Sequence, residues 1–134
     1  MAEEMLRQGG CLCGAVRFEA RGQPANVRIC HCRLCQKAMG SPFFARALYP
    51  TAQVTVSGRT ERYASSSHLN RVFCPACGTR LMAARADGSR VGIAIALFDR
   101  PDDLLPDCHF FTSSKVGWLK INDDLPQYTD RPPD

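Results

Sequence analysis

Three cysteines lie within six residues, in the sequence Cys30-His31-Cys32-Arg33-Leu34-Cys35. Cys32 and Cys35 have the C-x-x-C spacing of a knuckle turn, in which both sulfurs face one ion. Cys30 lies two residues upstream of Cys32, so on an extended backbone both side chains point the same way. The spacing therefore predicts three thiolates around one zinc ion. Three protein ligands with one open position are typical of a catalytic zinc site.

The other five cysteines form two pairs and one singleton: Cys11 and Cys13, Cys74 and Cys77, and Cys108. Their spacing leaves two ways to divide them. The pair at 32 and 35 could join the pair at 74 and 77, as in a zinc ribbon, and leave Cys11, Cys13 and Cys30 as the three-cysteine group.

We favour a four-ligand structural site built from Cys11, Cys13, Cys74 and Cys77. Each of these pairs is followed directly by a glycine, Gly14 or Gly78. Glycine permits the positive φ that a closed knuckle often needs.

The sequence leaves open whether the three-cysteine motif has a fourth protein ligand. His31 or Cys108 could serve as a fourth ligand, which would make the site purely structural. His31 alternates away from its two neighbours, however, so its ring should point off the metal. We predict that His31, Arg33 and Lys37 contact the substrate, because the two basic residues are the nearest cations in the sequence.

Other residues receive structural interpretations. We expect Cys108 to be a small buried residue, and His68 and His109 to be polar or core histidines rather than ligands. Trp118 is expected in the core or on a dimer face. Lys115 is expected to be a solvated surface charge.

Composition restricts the class of protein. The chain has 134 residues, which fits a single domain over 1–134, and a formal net charge of +4 without a basic run. That charge pattern argues against nucleic acid as a partner. The N-terminus lacks a secretory signal pattern, and the longest apolar run, 91–98, is too short to span a bilayer. We expect a cytoplasmic protein whose thiols stay reduced and bind metal.

The apolar pattern predicts an all-β fold with very little helix. Short alternating segments are separated by Gly and Pro, as at 14–20 and 43–48. We predict one short helix over 33–39, ended by Gly40. The run from Val91 to Leu97 should be the most buried strand, since both of its faces are apolar or small. Residues 129–134 should form a loose tail.

Taken in order, five motifs resemble the glutathione-dependent formaldehyde-activating enzyme family. They are Gly10-Cys11-Leu12-Cys13-Gly14-Ala15-Val16, the motif at 30–35, Gly40-Ser41-Pro42-Phe43, Phe73-Cys74-Pro75-Ala76-Cys77-Gly78-Thr79, and Ser113-Ser114-Lys115 with Trp118. The resemblance covers about residues 9–128.

The resemblance implies small β-sheets, related to zinc ribbons, around two zinc ions. It places a structural zinc on Cys11, Cys13, Cys74 and Cys77. It places a catalytic zinc on Cys30, Cys32 and Cys35. We expect this second ion to be the more easily lost of the two.

The activity implied by the resemblance is that of a carbon–sulfur lyase, which forms S-hydroxymethylglutathione from glutathione and formaldehyde or handles a related thiol adduct. The implied partner is a small glutathione-like thiol. Two alternatives stay open: a zinc-dependent module that binds glutathione or protein without catalysis, and a zinc store or redox sensor.

Overall fold

The computed structural model describes residues 5–133, and strands dominate this part of the chain. In chain order the strands are β1 Leu6–Gly10, β2 Arg17–Arg21, β3 Asn26–Cys30, β4 Phe44–Pro50, β5 Val54–Ser57, β6 Glu61–Ala64, β7 Leu69–Phe73, β8 Arg80–Arg85, β9 Arg90–Ala94 and β10 Cys108–Phe110. The α-helix in this range, α1, is Arg33–Met39. No helix in residues 5–133 has the length and apolar character to cross a bilayer.

The strands form two sheets. One has three strands in the order β1-β2-β5, and the other has seven in the order β10-β3-β4-β9-β8-β7-β6. Strand β10 runs parallel to β3, whereas the other paired strands are antiparallel. The all-β prediction is confirmed, although one sheet is larger than the small sheets that we expected.

The main core lies between the two sheets. Phe18 and Ala20 of β2 are buried while Arg17 and Glu19 between them are exposed, as the alternation predicted. On the seven-stranded sheet, Ile93 is fully buried in the same apolar cluster. Burying a side chain such as Phe18 or Ile93 stabilises the fold by about 1.5–3 kcal/mol. The opposite face of the seven-stranded sheet carries Cys30. We call Cys30, Cys32 and Cys35 the triplet, and this side of the sheet the triplet face.

Helix α1 has the predicted bounds. Its N-cap is Cys32, whose sulfur accepts a hydrogen bond from the backbone N–H of Cys35. Its C-cap is Gly40, which has φ of +60° and donates its N–H to the carbonyl of Gln36. Since the three-cysteine motif supplies both the N-cap and a residue in the first turn, helix formation brings Cys32 and Cys35 together.

The structure corrects several predictions about the elements. The strand expected over 91–97 ends at Ala94, and Ile95–Leu97 form a 3₁₀ turn. The run is apolar beyond the strand because Leu97 and the following Phe98 also pack against buried apolar clusters. Phe98 forms an isolated antiparallel β-bridge with Gly9 of β1.

Strand β1 was not predicted, since its sequence has low β propensity and its pairing with β2 alone makes it a strand. Trp118 is 71% exposed, so the core placement was wrong. The expected loose tail is tied down at its start, because the carbonyls of Thr129 and Asp130 accept backbone N–H bonds from Ser113 and Phe111.

Candidate metal centres

The structure brings together four cysteines from two hairpin-like turns: Cys11, Cys13, Cys74 and Cys77. Their sulfurs all lie within 4.8 Å of one another. The Sγ atoms of Cys11 and Cys13 are 3.6 Å apart, and those of Cys13 and Cys74 are 3.9 Å apart. A tetrahedral ion with metal–sulfur bonds of about 2.3 Å requires sulfurs about 3.8 Å apart, so the four sulfurs fit zinc.

Glycines shape both turns of this four-cysteine cluster. Gly14 has φ of +83° and Gly78 has φ of +78°, so both take the left-handed conformation that we predicted for them. Backbone bonds close the turns, from the N–H of Gly14 to the carbonyl of Cys11 and from the N–H of Gly78 to the carbonyl of Cys74. The zinc-ribbon pairing with Cys32 and Cys35 is therefore not the one that the fold adopts.

Thr79 joins the two turns, a role that sequence reasoning missed. Its hydroxyl accepts the backbone N–H of Leu12 at 3.1 Å and lies 3.1 Å from the sulfur of Cys77. The Thr79 hydroxyl and backbone N–H lower the pKa of Cys77 to about 5. A backbone hydrogen bond from Val16 likewise lowers the pKa of Cys11. Both effects favour the thiolates that a metal needs.

The second cluster is the triplet, Cys30, Cys32 and Cys35, whose sulfurs also lie within 4.8 Å of one another. Cys30 is the last residue of β3, and the other two lie at the start of α1. Cys30 and Cys35 are buried, and Cys32 is half-buried. Cys32 is therefore the least buried member of the triplet.

The three thiols of the triplet shift one another's pKa values. Thiols of Cys30 and Cys35 donate toward Cys32 and lower its pKa to about 2, while the pKa of Cys30 is raised by the same contacts. Three thiols this close cannot all ionise against their mutual repulsion. A divalent cation at their centre removes that obstacle, so the donor chemistry of the triplet also fits zinc.

No fourth His, Cys, Asp or Glu joins the triplet among residues 5–133. Cys108 is buried, as expected, and burial raises the pKa of its thiol to about 11. The two candidate fourth ligands, His31 and Cys108, are both outside the cluster. The triplet thus offers three sulfurs, one fewer than a closed tetrahedral site needs.

His31 belongs to a hydrogen-bonded chain that the sequence did not reveal. It is fully buried, and its Nε2 lies 2.9 Å from Nδ1 of His109. The Nε2 of His109 lies 2.7 Å from a carboxylate oxygen of Asp123. Burial lowers the pKa of His31 to about 4, and the neighbouring His109 and Lys115 add smaller effects in the same direction. His31 is thus held inside the fold by its contact with His109, and its contact with a substrate stays a prediction.

The predicted basic residues occupy different positions. Arg33 and Lys37 are exposed on α1, and Arg33 hydrogen-bonds the side chain of Gln36. We expected Lys115 to be a solvated surface charge. Its ammonium instead donates to the backbone carbonyls of Val116 and Leu119. Substrate contact by Arg33 and Lys37 stays a prediction.

Gln36 connects the helix to the chain around it. Its amide donates to the carbonyl of His31 at 2.7 Å and to that of Ser114 at 3.0 Å. Buried amides that bond two carbonyls fix their neighbours in place. The motif at 113–114 is therefore connected to the triplet through Gln36.

The basic residue in contact with the triplet is Arg71, which sequence reasoning missed. It is 4% exposed, and its two terminal nitrogens lie 3.6 and 3.7 Å from the sulfur of Cys35. Arg71 comes from β7, 36 residues along the chain from Cys35. Nothing in its local sequence distinguishes it from the exposed arginines.

Residues 6–114 match the family described as Glutathione-dependent formaldehyde-activating enzyme. That range covers both cysteine clusters and most of the chain. The chain belongs to the glutathione-dependent formaldehyde-activating enzyme family. The match ends before Lys115 and Trp118, which we had included in the resemblance.

One curated relative supports the family assignment, and one solved structure is similar in fold. A protein of Schizosaccharomyces pombe that is named an uncharacterized lyase is 33% identical over 128 residues, covering 87% of this chain and 92% of that protein. A crystal structure of a Rhodobacter sphaeroides protein aligns with a TM-score of 0.53 at 18% identity, covering 91% of this chain and 99% of that one. The similarity to the Rhodobacter sphaeroides structure supports the fold alone.

Proposed function

We propose that this family member is a zinc-dependent carbon–sulfur lyase that acts on adducts of a thiol and an aldehyde. Its substrate is glutathione or a similar small thiol, combined with formaldehyde or a related aldehyde. Family membership and the lyase name of the yeast relative support lyase chemistry in general. The observation that carries the proposal is the triplet, with three convergent sulfurs and no fourth protein ligand in residues 5–133.

The proposal gives the two clusters different roles. Cys11, Cys13, Cys74 and Cys77 hold a structural zinc that joins the β1–β2 and β7–β8 turns. Cys30, Cys32 and Cys35 hold the second zinc, which when bound supplies a Lewis acid that lowers the pKa of a thiol ligand. A thiolate is the nucleophilic form of a thiol.

The chain's own residues prepare this site. The N–H of Cys35 and the guanidinium of Arg71 donate to triplet sulfurs, which stabilises them as thiolates. Phe44 and Phe110 pack in the same buried cluster as Cys30 and keep water from that side. In the synthetic direction the thiol S–H bond breaks, a carbon–sulfur bond forms at the aldehyde carbon, and the aldehyde oxygen takes up a proton.

The test is adduct formation from glutathione and formaldehyde, followed by exchange NMR. We expect the zinc-loaded protein to accelerate exchange over the spontaneous reaction. Cys32→Ser should abolish the acceleration, whereas Cys108→Ser, which changes a buried cysteine outside both clusters, should retain it. Equal exchange rates with and without wild-type protein would reject the named reaction.

A further inference from the structure

The triplet face of the seven-stranded sheet carries more arginine than the sequence suggests. Residues directly opposite each other in neighbouring strands share a face. Arg46 lies opposite Arg28, two positions from the pair formed by Phe44 and Cys30. Arg71 lies opposite Ala83, which lies opposite Gly92 of β9. The register therefore places arginines from β4 and β7 on the same face as Cys30.

The polar contacts of the Arg71 side chain are with a hydroxyl and a sulfur, and they include no carboxylate of residues 5–133. Its Nε donates to the hydroxyl of Ser65 at 3.0 Å, and its terminal nitrogens contact Cys35. None of the ion pairs between residues 5 and 133 includes Arg71. A guanidinium stays protonated in proteins, and a buried charge without an opposite charge is costly. The buried position of Arg71 thus requires negative charge at the triplet.

Arg46 lies flat on the same face. A Cβ on Gly92 would come within 2.7 Å of Cδ of Arg46, so glycine at this position leaves room for the side chain. One terminal nitrogen donates to the side-chain oxygen of Asn26 at 2.6 Å, and the guanidinium carbon lies 5.3 Å from the ring centre of Phe110. Arg46 likewise takes part in none of the ion pairs of the described chain.

The charges of a metal-bound triplet and of the two arginines near it do not balance. Three thiolates and one divalent cation sum to a single negative charge, whereas Arg71 and Arg46 together carry two positive charges. One further anion makes the group neutral. Arg28 on the same face already has a carboxylate partner in Asp107, 3.3 Å away, so it does not change this count.

We propose that Arg71 and Arg46 are positioning residues that make the open side of the triplet selective for an anionic guest, above all a thiolate, over a neutral one. The inference rests on the proposed function, in that it takes the triplet as a metal site open to a thiol. A thiol that binds there releases its proton to water, and no bond other than S–H breaks. The arginines neither take nor give a proton.

The experiment compares an anionic guest with a neutral one on the cobalt-loaded protein. 2-Mercaptoethanol is the thiol probe and imidazole is the neutral probe, and the visible absorption of Co²⁺ reports binding of each. The variants are Arg71→Met, Arg71→Lys and Arg46→Met. Arg62→Met is the matched control, because Arg62 is exposed on β6 and lies opposite Val72, on the other face from Arg71.

We expect Arg71→Met to weaken 2-mercaptoethanol about tenfold or more, since one charge several ångströms away at an effective dielectric of about 20 is worth at least that factor. Imidazole affinity should change by less than about twofold, because a neutral guest gains little from the arginine. Arg71→Lys should lose less thiol affinity than Arg71→Met. Arg62→Met should match wild type for both probes.

Equal weakening of both probes, or no change in either, would overturn the inference, as would a wild-type protein that binds neither probe. If Arg71→Met does not fold, Arg46→Met decides by the same comparison. The binding assay is separate from turnover. Arg71-dependent thiol selectivity in a protein without adduct-forming activity would reject the proposed function and leave the inference standing.

Discussion

Cys32 has two roles that a pair of substitutions can separate. Its sulfur is a member of the triplet, and the same sulfur caps the N-terminus of α1 by accepting the N–H of Cys35 at 3.3 Å. Serine is among the best N-cap residues and alanine among the poorest. Cys32→Ser therefore removes the thiolate and keeps a cap, whereas Cys32→Ala removes both.

The expected magnitudes follow from these contacts. Wild type should carry two zinc ions per chain, and each variant should carry one, because two sulfurs with no other ligand nearby hold zinc poorly. Cys32→Ala should be less stable than Cys32→Ser by about 1 kcal/mol, the usual value of an N-cap. For a chain of this size that difference corresponds to roughly 3–5 °C in Tm.

Elemental analysis gives the zinc content, and urea unfolding followed by circular dichroism gives the stability. The two variants are compared with each other, since both then lack the same ion. Cys74→Ser serves as a contrast. Cys74 is fully buried in the main core, so its loss should reduce folded protein as well as zinc.

Two outcomes would refute this reasoning. A Cys32→Ser protein that keeps two zinc ions would show that the triplet is not a separate site. Equal unfolding free energies for the serine and alanine variants would show that the sulfur of Cys32 does not cap α1.

Further predictions concern stability and pH. Gly9→Ala should destabilise the fold by about 1–3 kcal/mol in urea unfolding, because the new Cβ would lie 2.5 Å from Cζ of Phe18 and 2.8 Å from Cα of Phe98. Gly117→Ala, whose new Cβ would meet nothing within 4 Å, should change the free energy of unfolding by less than about 0.5 kcal/mol. Equal losses of stability in the two variants would contradict the close packing around Gly9. The hydrogen bond from His109 lowers the pKa of Asp123, so its carboxylate stabilises the fold above the ordinary pKa, and this contribution is lost as pH falls through the lowered value. Asp123→Asn should therefore be less stable than wild type at pH 7, and the difference in unfolding free energy should disappear as the pH falls through the lowered pKa of Asp123; a difference that stays constant with pH would exclude this linkage.

Local sequence predicted the parts of this protein whose partners are close along the chain. The knuckle turns, the glycines after them and the bounds of α1 depend on contacts over two to five residues, and short-range geometry is readable from residue type and spacing. The grouping of Cys11 and Cys13 with Cys74 and Cys77 also followed, because the glycine after each pair marks the same kind of turn.

Tertiary structure decided which distant side chains surround the triplet. Arg71 reaches Cys35 only because β7 and β3 lie in one sheet, and His31 meets His109 only because β10 runs beside β3. The sequence placed the candidate substrate contacts on Arg33 and Lys37, the nearest cations along the chain, while the fold supplied a buried cation from another strand. Strand pairing brings together residues that no local pattern connects, and the charge around a metal site depends on that pairing.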